Sequence, residues 1–389
     1  MENPLNKIKD MFDSFRFGND DKGSILGIDI GSSSIKVVQL KKKRGVAVLE
    51  TYGELSLGPY SDIDVGRSTS LPHAKLVEAL KDILAEANTT TTICGVSIPF
   101  SSSLISIMSI PGNLEESKLS KMIPIEARKY IPVPISEVTL DWFIIPQSQD
   151  KYLSKEGEGV VGSGDQQGEQ SILTNKTNVL LVAIHNEVLN KYRDVLKEVG
   201  LSVSFYEIEI FSTIRAVVGQ GIEPVMIIDI GSASTKVYVV ELGIVKVSHI
   251  INKGSQDLTL ALSRSIGISI SEAEKLKREV GLLGSTDRPH IKESILLTLE
   301  YIFSESNRVL LNYQRKYNNS VNKVFFTGGG SVLNGLVEEA SGRFNAEVAT
   351  ADPFAKTQTP AFLENVLKEV GPEFAVAVGV ALRKLQELD

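Results

Sequence analysis

The chain has 389 residues, a net charge of −7 and 42% apolar residues, a composition typical of a globular protein with two or more domains. Lysine and arginine are spread along the chain, so a broad basic face for nucleic acid is not expected. The single cysteine, Cys94, excludes an internal disulfide and fits a reducing compartment. No apolar run approaches the roughly 20 residues of a membrane-spanning helix, so we expect a cytoplasmic protein.

The first 24 residues precede the first predicted strand and form a segment of their own. Apolar residues recur there at helical spacing, which predicts a short amphipathic helix followed by a polar linker. Its polar face mixes both charges, which favours packing on protein over lying on a membrane. We expect membrane contact through residues 1–16 to be weak at most. The apolar positions are Leu5, Ile8, Met11, Phe12 and Phe15.

Two nearly identical stretches lie 200 residues apart, at 28–36 and 228–236. Each lies between two apolar runs, which predicts a strand, a tight turn and a second strand. Glycine permits the turn and lets an anion approach the backbone amides, and the small residues after it add donors without crowding. One such turn is common, but two matched copies predict a pseudo-twofold protein that holds a phosphorylated ligand between its halves. The candidate phosphate-binding residues are Gly31, Ser32, Ser33 and Ser34 in the first copy and Gly231, Ser232, Ala233 and Ser234 in the second.

Strands and helices alternate along the rest of the chain, which predicts an α/β fold. Pro124 is expected to kink or split its helix, and Ser271 with Glu274 is predicted to form a capping box. Residues 147–176 are rich in Gly, Ser, Gln, Lys and Glu, which predicts a flexible loop. The predicted strands are 46–51, 93–98, 104–110, 138–145, 178–184, 201–208, 244–251 and 323–327; the predicted helices are 74–87, 115–130, 187–199, 211–218, 256–266, one from Ser271, 291–317, 333–344 and 373–388.

A glycine-rich turn follows the strand that ends at Thr327, roughly 100 residues after the second hairpin. No Walker motif is present, which excludes a P-loop protein. The order of two hairpins and this turn resembles the actin-like ATPase superfamily. That resemblance implies that the hairpins hold the β- and γ-phosphates of ATP or ADP, that Asp29 and Asp229 organise Mg²⁺, and that the turn binds adenosine. The turn residues are Gly328, Gly329, Gly330 and Ser331.

Further positions match the superfamily. Lys36 stands where actin-like proteins carry a lysine that contacts phosphate; the alternative is a solvated strand lysine. Glu274, Lys277 and Arg278 resemble the chaperone helix that contacts ribose and adenine; the alternative is an ordinary ion pair on a helix surface. Glu209 takes the place of an acidic residue that positions water and could act as a base. An interface or capping role for Glu209 is the alternative.

Within the superfamily the chain is similar to PilM, the cytoplasmic actin-like family of type IV pilus assembly. The segments that carry the similarity are 26–36, 125–132, 138–142 and 272–281. The resemblance implies an actin-like ATPase (ribonuclease-H-like) fold, with two lobes around a nucleotide cleft and an FtsA-like inserted subdomain. The expected divisions are a first lobe at 25–97 and 178–223, an insertion at 98–177, a second lobe at 224–254 and 322–389, and a helical subdomain at 255–321.

The same resemblance implies a function: a nucleotide-loaded scaffold at the inner membrane that docks the N-terminal cytoplasmic peptide of a PilN-like protein. Other platform proteins, the assembly ATPase and further copies of the chain are possible partners, and ATP turnover is expected to be slow at most. One alternative is an FtsA-like division adaptor, which the chain end at Leu388 and Asp389 disfavours, because FtsA proteins continue into a membrane helix. The other alternative is a sugar kinase, for which no substrate aspartate is identified.

Overall fold

The computed structural model describes residues 23–112, 116–145, 176–219, 221, 223–284 and 290–386. The helix predicted within residues 1–16 lies outside the described residues. The loop predicted at 147–176 also lies outside them, apart from its last residue, Lys176, which begins a strand.

The strands and helices alternate as expected for an α/β protein. The described strands are β1 (Ser24–Ile30), β2 (Ser34–Lys43), β3 (Val46–Ser56), β4 (Ile93–Ile98), β5 (Ser103–Pro111), β6 (Val138–Ile144), β7 (Lys176–His185), β8 (Ser202–Ile208), β9 (Val225–Ile230), β10 (Thr235–Glu241), β11 (Ile244–Ile251), β12 (Lys323–Thr327) and β13 (Glu347–Thr350). The described helices are α1 (His73–Glu86), α2 (Glu116–Glu126), α3 (Asn186–Val199), α4 (Glu209–Val217), α5 (Ser255–Ile266), α6 (Ile270–Val280), α7 (His290–Tyr317), α8 (Leu336–Ser341), α9 (Glu364–Val370) and α10 (Ala375–Gln386).

Two five-stranded sheets share one topology. The first sheet has the order β3-β2-β1-β4-β8, and the second has the order β11-β10-β9-β12-β13. In the first sheet β1 is antiparallel to β2 and parallel to β4. In the second sheet β9 is likewise antiparallel to β10 and parallel to β12. The hairpin registers also match, because Asp29 lies opposite Lys36 and Asp229 lies opposite Lys236. The repeat seen in the sequence is therefore a repeat of the fold.

A small antiparallel sheet of order β5-β7-β6 carries the insertion. Its central strand, β7, is apolar along most of its length, because both faces of the sheet are covered. Leu180, Val182 and Ile184 pack into the core of the first lobe. Residues 179, 181 and 183 face a second apolar cluster that includes Leu119 and Ile123 of α2. The hydrogen bonds of β7 run to β5 and β6, so this strand belongs to the small sheet and spans the predicted division between insertion and first lobe at 177 and 178.

Two helix predictions need correction. The capping box is formed by Ser269 and Glu272 rather than by Ser271 and Glu274, so α6 begins at Ile270. This start places Glu274 in the helix interior, where its side chain can face the cleft. The helix predicted at 333–344 is limited to α8. Pro124 lies inside α2, which continues into a short 3-10 turn at Ala127–Lys129.

Two helices link the lobes and cross in close contact. Helix α4 leads from the first sheet to the second, and α10 follows the second sheet in the chain and packs back onto β1 and β2. A Cβ added at Gly379 of α10 would lie only 1.8 Å from the carbonyl oxygen of Ser212 in α4. Beneath the crossing, Arg215 of α4 pairs with buried Glu207 at 2.6 Å and also donates to the Gly379 carbonyl at 3.0 Å. The absence of a side chain at residue 379 is thus what allows the two helices to meet.

We expect Gly379→Ala to lower the free energy of unfolding by about 1–3 kcal/mol, because the added methyl group forces the crossing helices apart. Urea unfolding followed by circular dichroism measures the change. Gly342→Ala is the matched control, since a Cβ at Gly342 meets nothing within 4 Å. Equal stabilities of the two variants would contradict this account of the crossing.

Candidate functional site

A cavity of about 380 Å³ lies between the two lobes. Both hairpins, the glycine-rich turn, α6 and the start of α10 line it, so elements from distant parts of the chain meet there. Most of the predicted site residues line this cavity: Asp29, Gly31, Ser32, Ser33, Ser34, Lys36, Glu209, Asp229, Gly231, Ser232, Glu274, Lys277, Arg278, Gly328, Gly329 and Gly330.

Three predicted residues lie elsewhere. Ala233 and Ser234 line a neighbouring cavity of about 250 Å³, which shares Asp29, Glu209 and Lys236 with the first. Ser331 is buried, and its hydroxyl donates to the Gly328 carbonyl at 2.7 Å. Ser331 therefore shapes the glycine-rich turn from within.

The two hairpin turns are closed by the same hydrogen bond. The amide of Gly31 donates to the Ser34 carbonyl at 3.0 Å, and the amide of Gly231 donates to the Ser234 carbonyl at 3.0 Å. A Cβ at either glycine would approach that carbonyl oxygen to 2.9 Å or 3.0 Å. Glycine is thus needed for a turn tight enough to expose backbone amides to an anion.

Each hairpin brings a lysine beside its aspartate. Lys36 pairs with Glu54 of β3 at 2.9 Å and donates to the Ser34 hydroxyl at 2.7 Å. Lys236 pairs with Asp229 at 3.3 Å and with Glu209 at 2.8 Å. Sequence reasoning selected Lys36 and missed Lys236, although the repeat itself places the two at the same position. Each hairpin thus contributes one cationic group to the cavity.

Glu209 has both carboxylate oxygens engaged. One oxygen accepts from the backbone amide of Phe100 at 2.7 Å, and the other accepts from Lys236 at 2.8 Å. Burial raises the pKa of Glu209 despite the neighbouring lysine. The side chain therefore bridges the start of the insertion and the second hairpin. The predicted role as a base stays a prediction.

Both predicted metal residues, Asp29 and Asp229, line the cavity. The Ser97 hydroxyl donates to Asp29 at 2.7 Å, and burial raises the pKa of Asp29. Among the described residues, no group of three or more His, Cys, Asp or Glu side chains could hold a metal ion. Two carboxylates beside a phosphate site suit Mg²⁺, which keeps several waters and binds through one or two carboxylates and the phosphates of its ligand. The donor set thus fits a metal that arrives with a nucleotide.

On the opposite wall, Glu274 organises α6. Its carboxylate accepts from Thr259 at 2.6 Å, from Lys277 at 2.7 Å and from Arg278 at 2.7 Å. Burial alone would raise the pKa of Glu274, but Lys277 and these hydrogen bonds outweigh it and hold the pKa below its ordinary value. The three residues thus form a preorganised, charged wall.

The glycine-rich turn lies directly against the second hairpin strand. Gly328 has a φ of +82°, and a Cβ there would lie 2.2 Å from an Asp229 carboxylate oxygen. A Cβ at Gly330 would lie 2.3 Å from the side chain of Ile230. A side chain at either position would therefore fill space that the glycines leave open beside the cavity. The open space supports the fit of a nucleoside.

A loop of the first lobe reaches across the cleft. The Ser232 hydroxyl donates to the Gly66 carbonyl at 2.8 Å, and the Ser68 amide donates to the Gln256 side chain at 3.1 Å. Gly66 also packs against the carboxylate of Glu274. Sequence reasoning missed this contact, because the loop carries no motif and its role depends on the arrangement of the lobes.

Two glutamates that were not predicted from the sequence, Glu54 and Glu373, line the same cavity. Glu373 at the entry to α10 lies beside Gly329, and its carboxyl group hydrogen-bonds to Glu54 of β3. Burial and the charge of Glu54 raise the pKa of Glu373 to about 7. Lys36, Lys277 and Arg278 face the pair. The cavity therefore contains a carboxyl group that titrates near neutral pH.

Known proteins with the same pattern identify the family. The family described as "Type IV pilus assembly protein PilM" matches residues 27–156 and 167–385. The chain belongs to the PilM family of type IV pilus assembly proteins. It is also similar to the cell division protein FtsA of Streptococcus pneumoniae serotype 2, with 21% identity over 359 residues, 84% of this chain and 75% of FtsA.

Solved structures with the same fold align along most of the chain. A PilM-PilN type IV pilus biogenesis complex aligns with a TM-score of 0.74 and 23% identity, over 93% of this chain and 98% of the other. EutJ of Carboxydothermus hydrogenoformans aligns with a TM-score of 0.52 and 16% identity, over 97% of both chains. MreB 5 of Spiroplasma citri, bound to AMPPNP, aligns with a TM-score of 0.52 and 11% identity, over 95% and 98%. The predicted family and the predicted actin-like ATPase fold are both confirmed.

Within the described part of the chain, none of the helices combines the length and the apolar character needed to cross a membrane.

We expect the stability of the protein to fall as the pH rises from about 4.5 to about 7, in part because of Glu373. Its ordinary pKa is 4.5 and its folded pKa is about 7, so the folded state keeps a proton that the unfolded state releases in this window. Glu373→Gln should flatten the pH dependence of the unfolding free energy by roughly 1–3 kcal/mol. Urea unfolding at several pH values measures it, with Glu369→Gln as the exposed control. Identical pH profiles for Glu373→Gln and the original chain would contradict the assignment.

Proposed function

We propose that this protein binds ATP or ADP with Mg²⁺ in the interlobe cavity and serves as a nucleotide-loaded scaffold of type IV pilus assembly. The observation that carries the proposal is the convergence of two equivalent hairpins and the glycine-rich turn on one cavity. Lys36, Lys236 and the turn amides of both hairpins would hold the phosphates. Asp29 and Asp229 would orient the metal, which supplies positive charge beside the phosphates when it is bound.

The nucleoside end of the ligand would lie between α6 and the glycine-rich turn. Glu274 and Lys277 offer an acceptor and a donor for ribose hydroxyls, and the turn offers a surface without side chains. The charge of Lys236 is balanced by Glu209 and Asp229, so a phosphate group would compete with these carboxylates for the lysine. Ligand binding would thereby alter contacts between the lobes and the angle between them.

Replacing Asp29 or Asp229 by Asn should weaken the binding of Mg-ATP at least tenfold, because each change removes a carboxylate charge that orients the metal. Isothermal titration calorimetry with the full chain measures the affinity. Asp194→Asn, an exposed position on α3, is the matched control. Unchanged affinity in both cleft variants would show that the nucleotide does not use this site.

We expect turnover to be slow, because the Phe100 amide and Lys236 hold the two oxygens of Glu209, so this side chain is not placed freely to orient a water. Steady-state phosphate release should stay far below about 10 per second, the median rate of enzymes. Glu209→Gln should change that rate little. Rapid release that Glu209→Gln abolishes would instead identify an ATPase with Glu209 as its base.

The partner that the family suggests is the N-terminal cytoplasmic peptide of a PilN-like inner-membrane protein. The structural relative with the TM-score of 0.74 is a PilM-PilN complex. In the small sheet, β5 and β6 each pair with β7 on one side only among the described strands. An edge strand can receive an extended peptide through backbone hydrogen bonds. Such docking would recruit the protein to the cytoplasmic face of the inner membrane.

Binding of the PilN-like N-terminal peptide should slow amide hydrogen exchange in β5 or β6, because a docked strand ties up backbone groups. Hydrogen–deuterium exchange with mass spectrometry compares the full chain with and without peptide, and a scrambled peptide is the control. Nucleotide should change the peptide affinity only through the lobe angle, by about 1–3 kcal/mol. Protection confined to the hairpins and the glycine-rich turn would place the peptide in the cleft and contradict the proposal.

A further inference from the structure

Helix α2 of the insertion has two chemically different faces. Leu119, Ile123 and Ala127, which follow it at helical spacing, are fully buried against the small sheet. The opposite stripe consists of Lys118, Lys121 and Ile125 of α2 and of Arg128 and Lys129 in the 3-10 turn that continues it, and all five are exposed. At about 100° per residue the three positions of α2 lie on the side of the helix away from the core. The helix thus buries one apolar face and presents a basic face to the outside.

The charges of this outer stripe are largely unbalanced. Within the described residues, Lys129 pairs with Glu126 at 2.6 Å, whereas Lys118, Lys121 and Arg128 have no ion-pair partner. The stripe itself contains no acidic residue, although the chain as a whole carries a net charge of −7. A basic face on an acidic protein indicates an anionic partner, because this face attracts such a partner while the acidic remainder of the surface repels it.

Two apolar side chains lie among these cations. Ile125 is 63% exposed, and Tyr130, just beyond the helix, is 39% exposed. Pro124 between the lysines is exposed as well. Exposed apolar and aromatic groups set in a basic helix face are typical of helices that lie in the headgroup region of a bilayer, where the cations meet phosphates and the apolar groups reach the acyl chains.

We propose that the outer face of α2, from Lys118 to Tyr130, binds the surface of a bilayer that contains anionic phospholipid. Charge complementarity selects this occupant, and the central position of Ile125 distinguishes it from a purely polar contact with an acidic protein. The contact uses the helix face turned away from the sheet. It is therefore independent of the peptide docking proposed for β5 and β6, and can be tested without partner or nucleotide.

The test is flotation of the full chain with vesicles of phosphatidylcholine alone or of phosphatidylcholine mixed with phosphatidylglycerol. Binding is expected only to the mixed vesicles and should weaken as salt is added. The triple variant Lys118→Gln, Lys121→Gln, Arg128→Gln should bind roughly a hundredfold more weakly, at about fivefold per charge. The matched control is Lys81→Gln, Lys197→Gln, Arg264→Gln, which removes three exposed charges from other helices and should bind as the original chain does.

Ile125→Ser adds a second arm. It keeps every charge, and it should weaken binding several-fold while leaving the salt dependence in place. Circular dichroism checks that each variant is folded. Equal binding to both vesicle types would overturn the proposal. Absence of binding to the mixed vesicles at low salt would overturn it too, and would leave an acidic protein as the partner of this face. Binding of the triple variant at the original strength would also overturn it and would assign membrane contact to another segment.

Discussion

The close crossing of α4 and α10 is the constraint on which the interlobe cavity depends. These helices carry the chain from the first lobe to the second and back, so the angle between them sets the distance between the two hairpins. Gly379 lets the backbones touch at Ser212. Beneath this contact, Glu207 pairs with both Arg215 and Arg383 and is fully buried. Burial alone would raise the pKa of Glu207, but the two arginines outweigh it and keep the carboxylate charged.

A buried charge cluster of this kind specifies geometry more than it adds stability. Removing one partner of such a pair costs about 3–5 kcal/mol, because the remaining charge stays buried without compensation. Lys356, which follows β13 of the second lobe, donates to the Arg215 carbonyl at 2.6 Å near the end of α4. Burial lowers the pKa of this lysine to about 8. Segments from both lobes thus hold α4 in one orientation, so movement of the lobes would have to pass through this region.

The two halves share a backbone but differ in their electrostatic connections. Lys36 forms an ion pair with Glu54 within its own sheet. Lys236 instead forms an ion pair with Glu209, which belongs to the helix between the lobes. A ligand that drew both lysines to its phosphates would disturb an internal pair in one half and an interlobe pair in the other. In the proposed function, this difference would couple occupancy of the cleft to the angle between the lobes.

The sequence alone predicted the repeated hairpins, the glycine-rich turn and most elements of the α/β fold, because apolar periodicity and glycine act locally. Asp29, Asp229 and Gly328 belong to these local patterns, so they could be selected as site residues from the sequence. Lys236 could also have been selected, because the repeat places it at the position of Lys36. Glu373 and Gly66 could not, because they carry no local signal and reach the cavity only where the lobes close on one another. The capping box shifted from Ser271 to Ser269 because two serines stand close together and the sequence does not show which one begins the helix. The membership of β7 in the small sheet was likewise decided by tertiary packing, since an apolar strand fits any sheet that is covered on both faces.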